Sequence, residues 1–335
     1  GTDVTEKMKK DMGYDYPPFT VPEDVYRHIA GRQRRFSGYE RKWKRLVKTY
    51  KEKYPEDYRA FESAIKREMP DFIHDEKLWA AAEKPEATRV SGGKVLNEIA
   101  AKVPYIVGGA ADLAPSTKTY MKGLGDYSAA ERGGRNMHFG IREHAMSAIS
   151  NGMQLHGGLQ TYCSTFFVFS DYMKNGMRMS ALMKLPIMYI LTHDSIGVGE
   201  DGPTHEPIEQ LAALRTMPNM RVFRPADYRE TVAAYVSALS AKCPTSIVLS
   251  RQNLVQLSAG GKDALKGGYV AYDCAGIPDI ILIATGSEVG ITMEAKDKLE
   301  AEGVKVRVVS MPCCELFDEQ SDSYRETVLP SFVRS

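Results

Sequence analysis

The sequence predicts an α/β protein built on a mostly parallel sheet with helices on both faces. Three observations predict it. From Ala87 onward, short apolar runs alternate with helical stretches, as repeated strand–helix units do. Runs such as LPIMYIL at 185–191 are apolar throughout, as strands buried on both faces are, without the alternation of a half-exposed strand. Polar, glycine-rich loops follow several of these runs, and open α/β sheets bind their ligands in such loops at the carboxyl ends of the strands. At 335 residues the chain is long enough for two or three domains with a sizeable core.

Residues 1–86 read as a helical arm. Positions 1–14 are polar, and Tyr16-Pro17-Pro18 and Val21-Pro22 mark extended or turning backbone. Helical patterns follow at 23–34, 37–54 and 55–68, the second carrying Trp43, Leu46, Val47, Tyr50 and Tyr54 on one face. Residues 87–262 read as the main domain. The expected order is helix 93–102, strand 105–108, strand 137–139, helix 141–155, strand 159–163, helix 165–183, strand 187–191, helix 207–214, strand 220–223, helix 228–239 and strand 246–249. A glycine-rich break at 258–268 opens a smaller, incomplete α/β unit, residues 263–335. Its expected strands are 268–272, 279–284 and 304–310, with a helix opening at ATGSEVG, where Ser287 is placed to act as N-cap. A Gly-Ser turn of that kind can also hold an anion.

Net charge is +1 and 43% of residues are hydrophobic, so no strong field draws the chain to nucleic acid or membrane. Between Arg32 and Lys53 there are ten Lys or Arg against two acids, but no nucleic-acid motif accompanies them, and a solvated helix face accounts for them. No apolar run reaches the roughly 18 residues that span a bilayer, and no signal peptide is visible. Five Cys, an odd number without a CxxC pair, fit reduced thiols and a cytoplasmic location.

The densest chemistry lies in THDSIGVGEDGPTHEP, residues 192–207, with two His, two Asp and three Gly after an apolar strand. In FGIREHAM, Glu143 stands near the start of a helix that follows a strand, among Ile141, Ala145 and Met146, where a carboxyl group is placed to share a proton. In STFFVFSDYMKN, Phe166, Phe169 and Tyr172 recur every third residue, so a helix would carry three rings along one side, as a slot for a flat heterocycle or as ordinary core. Arg89, His193 and Arg251 would meet on the carboxyl edge of the sheet and could grip a phosphate, with Ser116 adding a hydroxyl donor. All of these loops follow strands of one parallel sheet and so open on one rim.

GGAADLAPST, FGIREHAM, LHGG, STFFVFSDYMKN, THDSIGVGEDGPTHEPIEQ, FRPAD and LSRQNL, in this order, resemble the pyrimidine-binding domain of the transketolases. The tail GGYV, ATGSEV and VVSMP resembles the start of that family's C-terminal domain, and the arm before Arg89 the linker leaving its first domain. The resemblance implies that thiamine diphosphate is the cofactor. Glu143 would then hydrogen-bond its pyrimidine nitrogen, Phe166, Phe169 and Tyr172 would line the ring, and Asp112 and Leu113 would lie near the thiazolium. It implies catalytic contact between His205 and the reacting carbonyl or hydroxyl, recognition of a sugar hydroxyl by Asp201, and a phosphate grip by Arg89, Ser116, His193 and Arg251.

The family's GDG metal motif with its downstream Asn does not occur in this sequence. The resemblance therefore places the Mg2+ or Ca2+ ligands in an N-terminal domain this chain lacks. It implies sugar phosphates as substrates, and a homodimer or a separate diphosphate-domain chain as partner. A chain of this kind is expected to be inactive alone, as part of a longer polypeptide or as a natural half-subunit. Dihydroxyacetone synthase, which carries similar motifs, is an alternative. Deoxyxylulose-phosphate synthase fits less well, because HDS precedes GEDGPTH here.

Overall fold

A computed structural model of the protein describes residues 1–80 and 84–333. Residues 81–83 of the expected arm and the last two of the expected 263–335 unit lie outside the described residues. The chain divides into two compact units, Gly1–Glu62 and Ser63–Ser335.

The first unit is helical, and its details differ from expectation. Thr2–Asp11 is a helix within the polar start, with Asp3 in its first turn and Lys9 and Lys10 in its last, matching the helix dipole. The two helices expected at 23–34 and 37–54 are one, Glu23–Lys53. Ser37 and Gly38 lie inside it without breaking it, and Ser37 Oγ donates to the Gln33 carbonyl one turn back at 3.0 Å. Trp43, Leu46, Val47 and Tyr50 of this helix, with Tyr58 and Phe61 of the next, line a cavity of about 290 Å³. The apolar face is therefore present, although Tyr54 instead tilts against Tyr50, with ring centroids 5.3 Å apart. The helix Pro55–Lys66 begins in this unit.

The second unit holds two sheets. The larger has six strands: β1 (Ile106–Ala110), β2 (Asn136–His138), β3 (Gln160–Phe166), β4 (Met188–Thr192), β5 (Arg221–Phe223) and β6 (Thr245–Leu249). Their order is β2-β1-β3-β4-β6-β5 and every pairing is parallel. The sequence path reverses direction across the sheet between β1 and β3, and such a switch point leaves a crevice outside the carboxyl ends. Successive residues alternate between two cores. Tyr162, Met188, Ile190, Ile247 and Leu249 pack with the helices Thr88–Lys102 and Tyr228–Ser240. Cys163, Tyr189, Leu191 and Val248 pack with residues of Glu143–His156 and Ser170–Leu182. The two-residue period puts a helical layer on each face.

Close approach fixes β1. A Cβ added at Gly109 would sit 1.7 Å from the Met137 carbonyl oxygen of β2. Gly109→Ala is therefore expected to lower stability by about 1–3 kcal/mol or more, measured as the urea midpoint; an unchanged midpoint would contradict this packing.

The smaller sheet has β7 (Tyr269–Tyr272), β8 (Ile280–Ala284) and β9 (Val306–Ser310), in order β7-β9-β8, with β7 antiparallel and β8 parallel to β9. The helix Tyr228–Ser240 joins the two sheets, and the first core continues through it to Tyr269, Val306 and Val308. Asp227 caps this helix, accepting from the Glu230 N–H at 2.8 Å. The Glu230 carboxyl group is fully buried; it accepts from Tyr269 Oη and Ser310 Oγ of the small sheet and from the Ala226 N–H.

Burial, helped by the Asp227 carboxylate, pushes Glu230 up to about 7. A raised folded-state value means that the folded protein holds this proton after the unfolded chain has lost it. The contribution to stability is complete below the ordinary carboxylate range and is lost as pH rises through about 7. Glu230→Gln should therefore compare better with the parent at pH 8 than at pH 5 in thermal unfolding. A difference that does not move with pH would exclude this linkage.

Candidate active site

Every strand of the large sheet delivers polar side chains to one rim. The helix after β2 begins at Glu143, a residue only 7% exposed. Among the described residues its hydrogen bonding is limited to one long bond, from Thr165 Oγ1 to Oε1 at 3.5 Å. A buried carboxylate normally has its acceptor sites filled, so this one retains capacity for a donor.

Thr165 stands beside Phe166, the last residue of β3. The three rings gather as expected, but not on one helix. Phe166 ends the strand, Phe169 lies in the 3-10 turn Phe167–Phe169, and Tyr172 stands in the helix Ser170–Leu182. The strand runs farther than expected because Thr165 and Phe166 continue the parallel ladder to Leu191 and Thr192. Phe166 and Phe169 stack with centroids 5.9 Å apart and planes 13° from parallel. Tyr172 lies 6.0 Å beyond Phe169 and is 65% exposed. His205 stands edge-on to both Phe rings, at 5.8 and 5.2 Å. The His205 Nδ1 is 2.8 Å from Thr204 Oγ1.

His193 follows β4 and is 2% exposed, its ring 3.7 Å from Phe166. Its φ of 65° is left-handed, an uncommon state for a residue with a Cβ and one that recurs at functional sites. Burial, then Arg89, Arg251 and His205, push its pKa down to about 3, so the ring is neutral near pH 7. Arg89 Nη1 lies 3.4 Å from its Nε2, and Thr192 Oγ1 lies 2.9 Å from its Nδ1.

The cations continue along the rim. Arg89 Nη1 also donates to the Ser116 carbonyl at 2.9 Å, so it is the carbonyl of Ser116 and not its hydroxyl that Arg89 meets. Asp201 Oδ2 is 3.8 Å from His193 Nε2 and 4.0 Å from Arg251 Nε, and Arg251 also pairs with Glu200 at 2.8 Å. Two cations and a neutral His thus share one patch. Burial and Arg251 both hold the Arg89 guanidinium below its usual range. Asp112, with φ 61°, and Leu113 stand on the loop after β1, just before the short helix Ala114–Thr117 that carries Ser116. A larger cavity of about 770 Å³, lined by Lys77, Lys94, Lys118 and Lys122 among others, contains none of the acid, aromatic or His residues of the rim.

The family model for the transketolase pyrimidine-binding domain matches residues 84–256, just over half of the chain. The chain belongs to the transketolase family. The transketolase-like C-terminal domain matches residues 267–335. The transketolase thiamine diphosphate binding domain matches residues 1–70. That last match corrects in part the expectation that the N-terminal domain is absent: residues 1–70 of the segment read as a linker fall within the model of that domain. A probable transketolase of Streptococcus pneumoniae is 49% identical over 341 residues, covering 100% of this chain and 51% of that protein. The transketolase of Bacillus subtilis is 47% identical over 343 residues, again covering 100% and 51%. The chain thus spans about half the length of the curated relatives it matches.

Among solved structures, a Pichia stipitis transketolase in complex with sedoheptulose-7-phosphate superposes with a TM-score of 0.92 at 39% identity, over 99% of this chain and 51% of that one. A split-gene transketolase, described as an inactive beta4 tetramer, has a TM-score of 0.57 at 32% identity, over 68% of this chain and 72% of that one.

Two features of the transketolase rim escape sequence reasoning. Asp194 and Arg224 form a buried ion pair at 2.8 Å. Thr88 Oγ1 and Ser250 Oγ, 3.1 Å apart, tie the start of the Arg89 helix to the end of β6. Both join residues distant in the chain, and no local pattern marks them. Ser287 also departs from expectation. It makes no capping hydrogen bond; its Oγ instead donates to Glu288 Oε1 at 2.9 Å and accepts from Arg224 Nη2 at 3.0 Å. The turn read as a possible anion site thus binds the protein's own groups.

Proposed function

We propose that this chain supplies the pyrimidine side of a thiamine diphosphate-dependent transketolase, which moves a two-carbon glycolaldehyde unit from a ketose phosphate to an aldose phosphate. The observation that carries the reading is the buried Glu143, whose carboxylate has, among the described residues, one long hydrogen bond, from Thr165, the residue before the stacked ring of Phe166. It has acceptor capacity for a protonated ring nitrogen, and the Phe rings offer a flat face. These residues fit the pyrimidine end of thiamine diphosphate. When bound, that cofactor supplies a nucleophilic carbon, which no side chain provides.

The remaining work falls to this chain's residues. Glu143 holds a proton at the pyrimidine nitrogen and sets which ring tautomer prevails. Phe166, Phe169 and Tyr172 orient the ring, with Asp112 and Leu113 on the loop toward the thiazolium. His205 contacts the reacting carbonyl or hydroxyl, and Asp201 reads a sugar hydroxyl. Arg89, Ser116, His193 and Arg251 hold the sugar phosphate, Arg251 by a fork and His193 as a neutral hydrogen-bonding group. Fixing the distant phosphate orients the reacting carbon and lowers the barrier.

In this reading residues 87–262 are the pyrimidine-binding domain and 263–335 belong to the C-terminal domain. Among the described residues no group of three or more His, Cys, Asp or Glu could hold a metal ion. The sequence has no GDG metal motif with its downstream Asn, and in this reading the ligands of the diphosphate and its Mg2+ or Ca2+ come from a second subunit of a homodimer or from a separate diphosphate-domain chain. Among the described residues no helix is long and apolar enough to cross a membrane; we place the protein in the cytoplasm, with no nucleic-acid or membrane partner.

The test is transfer from xylulose 5-phosphate to ribose 5-phosphate with thiamine diphosphate and Mg2+. The chain alone should be inactive, and a diphosphate-domain partner should restore transfer. Transfer by the chain alone, or formaldehyde as the sole acceptor, would contradict the proposal.

A further inference from the structure

Arg224 is the first residue after β5 and is held from two sides. Its side chain is 6% exposed and that of Asp194 is 1% exposed. Toward the rim, Nε donates to Asp194 Oδ2 at 2.9 Å. Toward the small sheet, Nη1 donates to the Thr285 carbonyl at 2.9 Å and also pairs with Glu288. Nη2 donates to Ser287 Oγ at 3.0 Å and to Glu288 Oε1 at 3.1 Å. The backbone is pinned as well: the Arg224 N–H donates to the Pro312 carbonyl at 2.8 Å, and its carbonyl accepts from Thr285 Oγ1 at 3.1 Å. Each nitrogen of the fork is engaged, and the partners come from both sheets' loops.

The residue before Asp194 is His193, in its left-handed conformation. Such a conformation persists in a residue with a Cβ only where its surroundings hold it. On one side Thr192 is fixed by the β4 ladder, and on the other Asp194 is fixed by Arg224.

We propose that Arg224 is a positioning residue that, through Asp194, holds the backbone turn at His193 and so fastens the phosphate edge of the site to the C-terminal unit. The small sheet thereby supports the site without touching substrate. The inference rests on the reading of His193 and Arg251 as a phosphate grip.

The test is steady-state kinetics of the assembled enzyme with a phosphorylated and an unphosphorylated donor. Arg224→Lys keeps the charge but cannot make the planar fork. It should raise KM for the phosphorylated donor about tenfold, and leave kcat and the unphosphorylated donor within about twofold. Glu288→Gln, at a half-exposed partner, should shift KM the same way by less, and guards against a folding defect. In a His193→Ala background, Arg224→Lys should add less than about twofold, because both changes act on one contact. Equal losses for both donors, or a full effect of Arg224→Lys without His193, would overturn the proposal. If His193→Ala itself leaves phosphorylated donors unaffected, the phosphate grip fails and the proposal with it. If His193→Ala raises KM and Arg224→Lys does not, the proposal alone fails.

Discussion

Glu143→Ala in the assembled enzyme is expected to lower kcat for glycolaldehyde transfer by about 10²–10⁴-fold, the range that general acid–base groups supply. The loss should persist at saturating thiamine diphosphate if, as proposed, the side chain controls a proton and does not merely add affinity. Glu143→Gln is the sharper variant. It keeps the shape and can still hydrogen-bond, but it cannot carry the charge that stabilises a protonated ring nitrogen. It should therefore bind cofactor better than the Ala variant and still be slow. Near-normal turnover in either variant would remove the proton role. Stability should change little, since Glu143 makes only one long hydrogen bond among the described residues.

Arg251→Ala is expected to raise KM for phosphorylated donors about 10–100-fold, the worth of one lost charge-assisted hydrogen bond or pair of bonds. An unphosphorylated donor should be nearly unaffected. Arg251 faces Glu200 and Asp201 across an accessible rim, so its loss leaves no buried unpaired charge. Arg89→Ala should act in the same direction but also disturb the rim, because Arg89 braces the Ser116 carbonyl and His193. Equal losses for phosphorylated and unphosphorylated donors after Arg251→Ala would contradict the phosphate grip.

The sheet was legible because its strands are apolar runs buried on both faces, and burial leaves its mark on composition. β4, β5 and β6 lie within a residue of where the apolar runs put them. The boundary at Phe166 was not legible. A run of aromatic residues at a spacing of three suits a helix, and only the pairing of Thr165 and Phe166 with Leu191 and Thr192 keeps the backbone extended. The long helix Glu23–Lys53 also escaped: Ser37 and Gly38 favour a break on propensity, yet the backbone stays helical through both.

At the site, parallel topology alone sufficed to bring the β2, β3, β4 and β6 loops to one rim, and with them Glu143, the Phe pair, His193, His205 and Arg251. What topology could not supply was pairing between distant residues. The Asp194–Arg224 bond crosses 30 positions and the Arg224–Glu288 bonds cross 64, and neither end looks unusual in its own stretch. The Arg89–His193 contact likewise joins residues 104 positions apart.

The most direct measurement is the crystal structure of the assembled enzyme with thiamine diphosphate and Mg2+ bound. The account predicts the pyrimidine ring against Phe169, with a ring nitrogen about 3 Å from a Glu143 carboxylate oxygen. A pyrimidine ring bound away from the Phe166–Phe169 pair, with the Glu143 carboxylate out of hydrogen-bond reach, would contradict it.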